Sequence, residues 1–248
     1  MRILILGGTT EARQLAVRLL PFGAVTLSLA GRTQAPAAQG VPVRVGGFGG
    51  AEGLARHLRD ERIDLLVDAT HPFAARISAN AAEAAAGAGV AAIALSRPAW
   101  QQVERDRWTV VDDLAGAVAA LGSAPRRVLL AIGRQEVAAF AAAPHHAYLI
   151  RSIDPVDPPL AVPRAEYLLA RGPFTVAAEI DLMRRHRIDA VVAKNAGGEA
   201  TYAKIAAARE LGIEVVMVQR PPMPPGIVEV ATVDEAVAHV AASAKRGE

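Results

Sequence analysis

Short apolar runs of strand length alternate with helix-like stretches along the whole chain. In the first half the strand-like runs are 2–6, 24–30, 63–68, 90–95 and 107–111. In the second half they are 127–132, 146–151, 166–170, 188–193, 213–218 and 227–230. Helical patterns occupy about 10–20, 51–61, 73–87, 113–121, 134–142, 175–186, 200–211 and 233–245. Continuous apolar strands between helices predict α/β architecture, with parallel sheets covered on both faces.

The pattern also repeats. Arg2–Gly8 lies over Arg127–Gly133 at a lag of 125, and Glu11 then falls on Glu136. Arg62–Val67 lies over Arg187–Val192, again at 125, Gly89–Pro98 over Gly212–Pro221 at 123, and Val111–Asp113 over Val233–Glu235 at 122. Four matches in one order predict two related, doubly wound Rossmann-like halves, an internal duplication. The expected division is 1–122 for a nucleotide-binding domain and 126–248 for a substrate-side domain, with Gly122–Pro125 between them. Two such halves facing each other would enclose a ligand cleft. The lag does not say whether each strand stays in its own half's sheet.

Composition narrows the chemistry. The 248 residues contain no cysteine, which excludes disulfides, thiol nucleophiles and thiolate-held metals, so any redox step needs an organic electron carrier. No apolar run reaches membrane-spanning length, and the N-terminus enters a strand rather than a signal peptide; a cytoplasmic protein without membrane partners is expected. Net charge is only +2, but 24 Arg stand against 3 Lys. Arginine suits bidentate capture of carboxylates and phosphates. Aromatic residues are 4% of the chain and no basic run occurs, so nucleic acid is not an expected partner.

Ligands of open α/β sheets bind at the carboxyl ends of the strands. The first strand ends in Gly7-Gly8-Thr9-Thr10, where glycines would let backbone approach a phosphate at a helix N-terminus. The spacing departs from G-x-G-x-x-G, and a tight turn with a Thr N-cap is the plainer alternative. The second strand is followed by Arg32 and Thr33 instead of the carboxylate usual for NAD, which suits the 2′-phosphate of NADP; a solvated loop arginine is the other reading. Thr70, His71, Ser96 and Arg97 stand at the third and fourth strand ends. In the second half Arg134, Arg151, Lys194, Asn195, Gly197, Tyr202 and Lys204 make a candidate lining for a polyanion, although each arginine taken singly could equally cap a helix. His71 has no neighbour at metal-ligand spacing, so no metal site is expected. Tyr-x-x-x-Lys, G-x-x-x-x-G-K-[ST] and G-x-S-x-G are all missing.

These strand-end motifs resemble those of the precorrin-6A reductase family of cobalamin biosynthesis. The likeness rests on Ile5–Arg13, Asp68–Ala74, Ser96–Trp100, Ile132–Gln135, Arg171–Phe174, Lys194–Gly198, Tyr202–Lys204 and Gln219–Pro221, in the family's order over nearly the whole chain. The resemblance implies an oxidoreductase that uses NADPH to reduce a macrocycle C=C, converting precorrin-6A to precorrin-6B. It places Gly7, Gly8, Thr9 and Thr10 at the pyrophosphate and Arg32 with Thr33 at the 2′-phosphate. Thr70, His71, Ser96 and Arg97 fall on the nicotinamide side. Arg134, Arg151, Lys194, Asn195, Gly197, Tyr202 and Lys204 face the substrate. If a protein acid serves the reaction, His71 or Lys194 is the candidate. A cobalt-precorrin-6A reductase, an NADPH-dependent reductase of another small substrate and a dinucleotide-sensing module are the alternatives, and other pathway enzymes stay open as partners.

Overall fold

The computed structural model describes residues 1–31 and 39–244. Each expected strand is present in some form, and one more, β3, was not expected. In chain order they are β1 (Arg2–Leu6), β2 (Ala24–Leu29), β3 (Val43–Val45), β4 (Leu65–Asp68), β5 (Ala91–Leu95), β6 (Trp108–Val111), β7 (Arg127–Ala131), β8 (Ala147–Ser152), β9 (Ala165–Leu169), β10 (Ala190–Lys194), β11 (Glu214–Val218) and β12 (Val228–Val230). The helices are α1 (Thr10–Arg18), α2 (Gly50–Asp60), α3 (Ala75–Ala88), α4 (Leu114–Ala120), α5 (Val176–Arg185), α6 (Ala203–Leu211) and α7 (Val233–Ala244). The expected helix 134–142 is instead a 3-10 turn, Val137–Ala142; Pro144, two residues beyond, cannot continue it.

The strands form two six-stranded sheets, ordered β12-β5-β4-β1-β2-β3 and β6-β11-β10-β7-β8-β9, with every recorded pairing parallel. The two orders coincide when β1 is laid on β7, β4 on β10 and β5 on β11, which is the duplication read from the sequence. The division of the chain differs from the expected one. One compact unit is Met1–Pro98 with Pro221–Glu248; the other is Ala99–Arg220. The boundary at 122–126 is therefore corrected. Each half gives up its last strand and helix: β6 pairs with β11, and β12 with β5. The local cause is main-chain pairing, Val215 N–H donating to the Arg107 carbonyl and Ser96 N–H to the Val230 carbonyl. The caps place Asp113 opposite Thr232, a lag of 119 rather than the 122 suggested by the apolar match: the Asp113 side chain accepts from Gly116 N–H and that of Thr232 from Glu235 N–H.

Burial on both sheet faces explains the unbroken apolar strands. In the first unit Ile3 and Ile5 pack with Leu15, Ala236 and Val240 of α1 and α7, while Leu4 and Leu6 pack with Leu54, Leu58 and Ala81 of α2 and α3. In the second unit Leu129, Val191 and Val215 pack with Leu182 and Met183 of α5 and Ile205 of α6. Both sheets hold their strand-end loops against buried apolar cores. Among the described residues no helix is long and apolar enough to cross a membrane.

Candidate active site

In the first unit the ends of β1, β4 and β5 bring Gly7, Gly8, Thr9, Thr10, Thr70, His71, Ser96 and Arg97 to one edge of the sheet. A Cβ on Gly7 would come within 2.6 Å of Leu27 Cδ1, so the turn lies tight against β2. Gly8 has φ +119°, a value that favours glycine, and open space where a side chain would stand. Thr9 is the N-cap of α1: its hydroxyl accepts from Ala12 N–H at 3.0 Å and donates to the Ala69 carbonyl at 2.9 Å. The hydroxyl thus joins the β1 turn to the end of β4. Asp68 is buried and organises the next loop, one carboxylate oxygen accepting from Thr70 N–H at 3.0 Å and from Thr70 Oγ1 at 2.7 Å. His71 is exposed, and its Nδ1 accepts from Phe73 N–H at 3.2 Å, which leaves the ring hydrogen of neutral His71 on Nε2. The helix expected to begin near Phe73 begins at Ala75. Arg97 pairs with Glu11 at 2.8 Å. Arg32 and Thr33 lie outside the described residues.

The second unit repeats the arrangement with different chemistry. Gly133 takes the place of Gly8, with φ +90°, and Glu136 takes the place of Glu11. Lys194, at the end of β10, donates to Glu136 at 2.5 Å. Arg134 reaches the Pro155 carbonyl at 3.4 Å. Gly197 is buried, with φ +67°. Asn195 is buried and clamps Trp100, accepting from its backbone N–H at 2.8 Å and donating to its carbonyl at 3.0 Å. The Trp100 indole donates to the Gly198 carbonyl at 2.8 Å. Tyr202 is the N-cap of α6; its ring stands 5.8 Å from Trp100 and its hydroxyl accepts from Arg209 at 2.5 Å.

Arg151 and Lys204 stand apart from the other expected substrate contacts. Arg151 is 7% exposed, forms an ion pair with Glu179 of α5, and lies 4.1 Å over the Phe174 ring. Lys204 is 4% exposed; its ammonium group lies 4.8 Å from the Trp100 ring centroid and donates to the Thr201 carbonyl at 2.7 Å. Burial, with the nearby Arg151 charge adding to it, pushes Lys204 down to about 7. In this structure both side chains are part of a buried charge cluster. Sequence reasoning missed Glu179, Trp100, Phe174 and the two carboxylates Glu11 and Glu136 as parts of the site. For the last two a signal was present: they are a repeated pair, at matching distances from the two turn glycines.

Residues 2–241 match the model of a family described as precorrin-6x reductase CbiJ/CobK. The chain belongs to that family. A precorrin-6A reductase from Sinorhizobium sp. is 59% identical over 242 residues, covering 97% of this chain and 92% of its own. A precorrin-6A reductase of Rhodobacter capsulatus is 53% identical over 224 residues, covering 90% of this chain and 89% of its own. A cobalt-precorrin-6A reductase of Priestia megaterium is 28% identical over 238 residues, covering 91% and 93%. A solved structure described as CobK precorrin-6A reductase superposes with a TM-score of 0.92 at 50% identity, covering 98% of this chain and 96% of that one. Membership of the family and the superposition establish the two-sheet fold and the reductase class for this chain. The resemblance read from the strand-end motifs is therefore correct.

Proposed function

We propose that the protein reduces precorrin-6A to precorrin-6B with NADPH, in cobalamin biosynthesis. The observation that carries this reading is family membership over nearly the whole chain, together with a strand-end edge in the first unit built to take a phosphate. The geometry of that edge supports the dinucleotide reading. Gly7, Gly8, Thr9 and Thr10 are assigned to the pyrophosphate: Gly7 lets the turn lie tight against β2, Gly8 leaves open space beside it, and the N-terminus of α1 begins there. Thr70, His71, Ser96 and Arg97 line the neighbouring strand ends, and Arg32 with Thr33 are assigned to the 2′-phosphate. When bound, the cofactor supplies a hydride from its reduced nicotinamide.

The chain's own contribution is binding and orientation, which account for most of the rate gain where no nucleophile is present. Arg134, Lys194, Asn195, Gly197 and Tyr202 of the second unit are assigned to the substrate, whose many carboxylates suit cationic strand ends. If a proton is delivered by the protein, His71 or Lys194 delivers it. The coupling of Lys194 to Glu136 gives its proton a local acceptor, whereas His71 presents an Nε2–H from an exposed loop. Identities of 59% and 53% to precorrin-6A reductases, against 28% to a cobalt-precorrin-6A reductase, favour the metal-free substrate.

The test is spectroscopic. Precorrin-6A and NADPH are incubated with the protein, and the visible absorption of the macrocycle is followed with the loss of NADPH absorbance. Both change if the reading is right; no change in either overturns it. Arg32→Ala should raise KM for NADPH at least tenfold more than KM for NADH, since a phosphate–arginine pair contributes on the order of 1.5–3 kcal/mol. Equal effects on the two cofactors would remove the 2′-phosphate assignment.

A further inference from the structure

Lys204 is placed where an ammonium group is hard to keep. It occupies the first turn of α6, where the helix dipole opposes a positive charge. It is 4% exposed, and an ammonium has three hydrogens to place, yet its recorded hydrogen bond is the single one to the Thr201 carbonyl. The charged groups facing it are the Arg151 guanidinium from β8 and the Glu179 carboxylate from α5. On its own helix the nearest polar pair is Tyr202 with Arg209, and Arg209 is held by Asp106 at 2.7 Å. Glu179 spends one oxygen on Arg151, and its other oxygen is buried without a hydrogen-bond partner. With Lys204 charged, the cluster would hold two cations and one anion out of water. With Lys204 neutral it balances. The elements that favour the charged form are the Glu179 carboxylate, already paired with Arg151, the Thr201 carbonyl and the Trp100 ring face at 4.8 Å, and burial with the Arg151 charge outweighs them.

The cluster also stands at the strand-end side of its sheet. Lys204 is the second residue of α6, the helix that follows the connection out of β10, and Arg151 is the penultimate residue of β8. Ligands of such sheets gather at that edge. A carboxylate brought there changes the balance: it adds the negative charge that the cluster lacks for a second cation.

We propose that Lys204 is neutral in the free protein and takes up a proton when a carboxylate-bearing substrate docks at the strand-end edge of the second unit, so that substrate binding and protonation of a buried amine are coupled. The proposal rests on the functional reading above. Its chemistry is a proton transfer alone: the amine lone pair takes a proton from hydronium or a buffer acid, whose bond to that hydrogen breaks as the N–H bond forms, and the substrate's carboxylates stay ionised throughout. The sign follows from linkage. A ligand that binds the protonated form better loses affinity as pH rises, and it does so between the free-protein and bound-state values of the amine. If bound substrate raises the Lys204 value by one unit from about 7, the dissociation constant increases about tenfold between pH 6 and pH 9. Ordinary carboxylates titrate well below that window and contribute no slope there.

The experiment uses the small number of lysines. The chain has three, Lys194, Lys204 and Lys245, so protein labelled with 13C at lysine Cε gives three resonances, assigned with Lys194→Arg and Lys204→Met. In the free wild-type protein the Lys204 resonance is expected to titrate near neutrality, and saturation with precorrin-6A is expected to move its midpoint upward. Binding of precorrin-6A without NADPH, followed by its visible absorption from pH 6 to 9, should weaken about tenfold for wild type and stay within twofold for Lys204→Met. A Lys204 resonance that stays charged to pH 9 in the free protein overturns the proposal. So does a midpoint that precorrin-6A leaves in place, or a pH slope retained in Lys204→Met. Failure of the functional reading looks different: precorrin-6A then fails to bind at any pH, while the free-protein titration still reports the state of Lys204.

Discussion

Replacing Glu179 with glutamine removes one charge while keeping the side chain's volume. Arg151 and Glu179 are 7% and 2% exposed, so water cannot take over the lost partner. The guanidinium would keep its stacking on Phe174 at 4.1 Å but lose the carboxylate that balances it. Breaking a buried ion pair from one side costs about 3–5 kcal/mol. The lower end applies here, because the glutamine amide oxygen can still accept a hydrogen bond from the Arg151 guanidinium. About 3 kcal/mol over a unit spanning 99–220 corresponds to a fall in Tm of roughly 12 °C, at about 4 °C per kcal/mol for a unit of this size. The assay is a thermal melt followed by far-UV circular dichroism, with urea unfolding as the check on free energy. The double variant Arg151→Met, Glu179→Leu is the control. Removing both charges together leaves no buried ion unpaired, and it should recover to within about 1 kcal/mol of wild type. A Glu179→Gln protein within 4 °C of wild type would refute the reasoning, and so would a double variant as unstable as the single.

Two further outcomes follow from other places in the fold. Gly7→Ala should destabilise the first unit by about 1–3 kcal/mol, since the new methyl meets Leu27 Cδ1 at 2.6 Å inside a fully buried core; adding Leu27→Val should return part of that loss, and a purely additive double variant would exclude the clash as the cause. Burial holds His146 below its ordinary value of 6.5, so the unfolded chain binds the extra proton first and stability should fall as pH drops through 6.5. His146→Phe should flatten that acid limb in urea titrations. It should also lower stability at pH 8 by about 1 kcal/mol, because Arg126 N–H loses its 3.2 Å acceptor.

Periodicity made most of this fold readable. Strands buried on both faces are continuous apolar runs, and Ile3 to Leu6 could be placed from that alone. β3 escaped because Val43-Arg44-Val45 is three residues long and exposed at both valines, so it carries no burial pattern. The exchange of β6 and β12 was unreadable for a different reason. A strand shows the same apolar alternation whichever sheet it joins, and the choice is made by partners far away in the chain. The same limit governs the site. Strand ends named the turn residues, since turn chemistry is local. Glu179, by contrast, reads as a polar position on an amphipathic helix, and its role depends on Arg151 lying opposite it. Arg151 and Lys204 were read as cations for a ligand, and their burial beside Glu179 could not be read from their neighbours in sequence.

The two halves keep a carboxylate at the same distance from the turn glycine but answer it from different strands. Glu11 takes its cation from Arg97, beyond the end of β5; Glu136 takes its cation from Lys194, at the end of β10. The position equivalent to Lys194 in the first half is Ala69, whose carbonyl accepts the Thr9 hydroxyl. The position equivalent to Arg97 in the second half is Arg220, which donates to the Asn195 carbonyl at 3.2 Å. In the first unit, therefore, the gap between β1 and β4, where the strand order reverses, is edged by glycines, Thr9 and Thr70, with the ion pair displaced to the next strand. In the second unit the corresponding gap between β7 and β10 is spanned by the ion pair itself. A pyrophosphate needs backbone approach in that gap, since the Thr9 and Thr70 hydroxyls already donate to the Ala69 carbonyl and to Asp68, and a carboxylate-rich macrocycle needs cations beside it. On the proposed function, this displacement of one ion pair by one strand favours cofactor on the first unit and substrate on the second. Moving the cation should test it: Ala69→Lys puts a lysine at the position equivalent to Lys194, where Ala69 is buried at the edge of the first unit's apolar cluster, so a far-UV circular dichroism melt accompanies the assay to confirm folding. The variant should weaken NADPH binding by at least tenfold while leaving KM for precorrin-6A within twofold, because it rebuilds in the first unit the arrangement that closes the gap in the second.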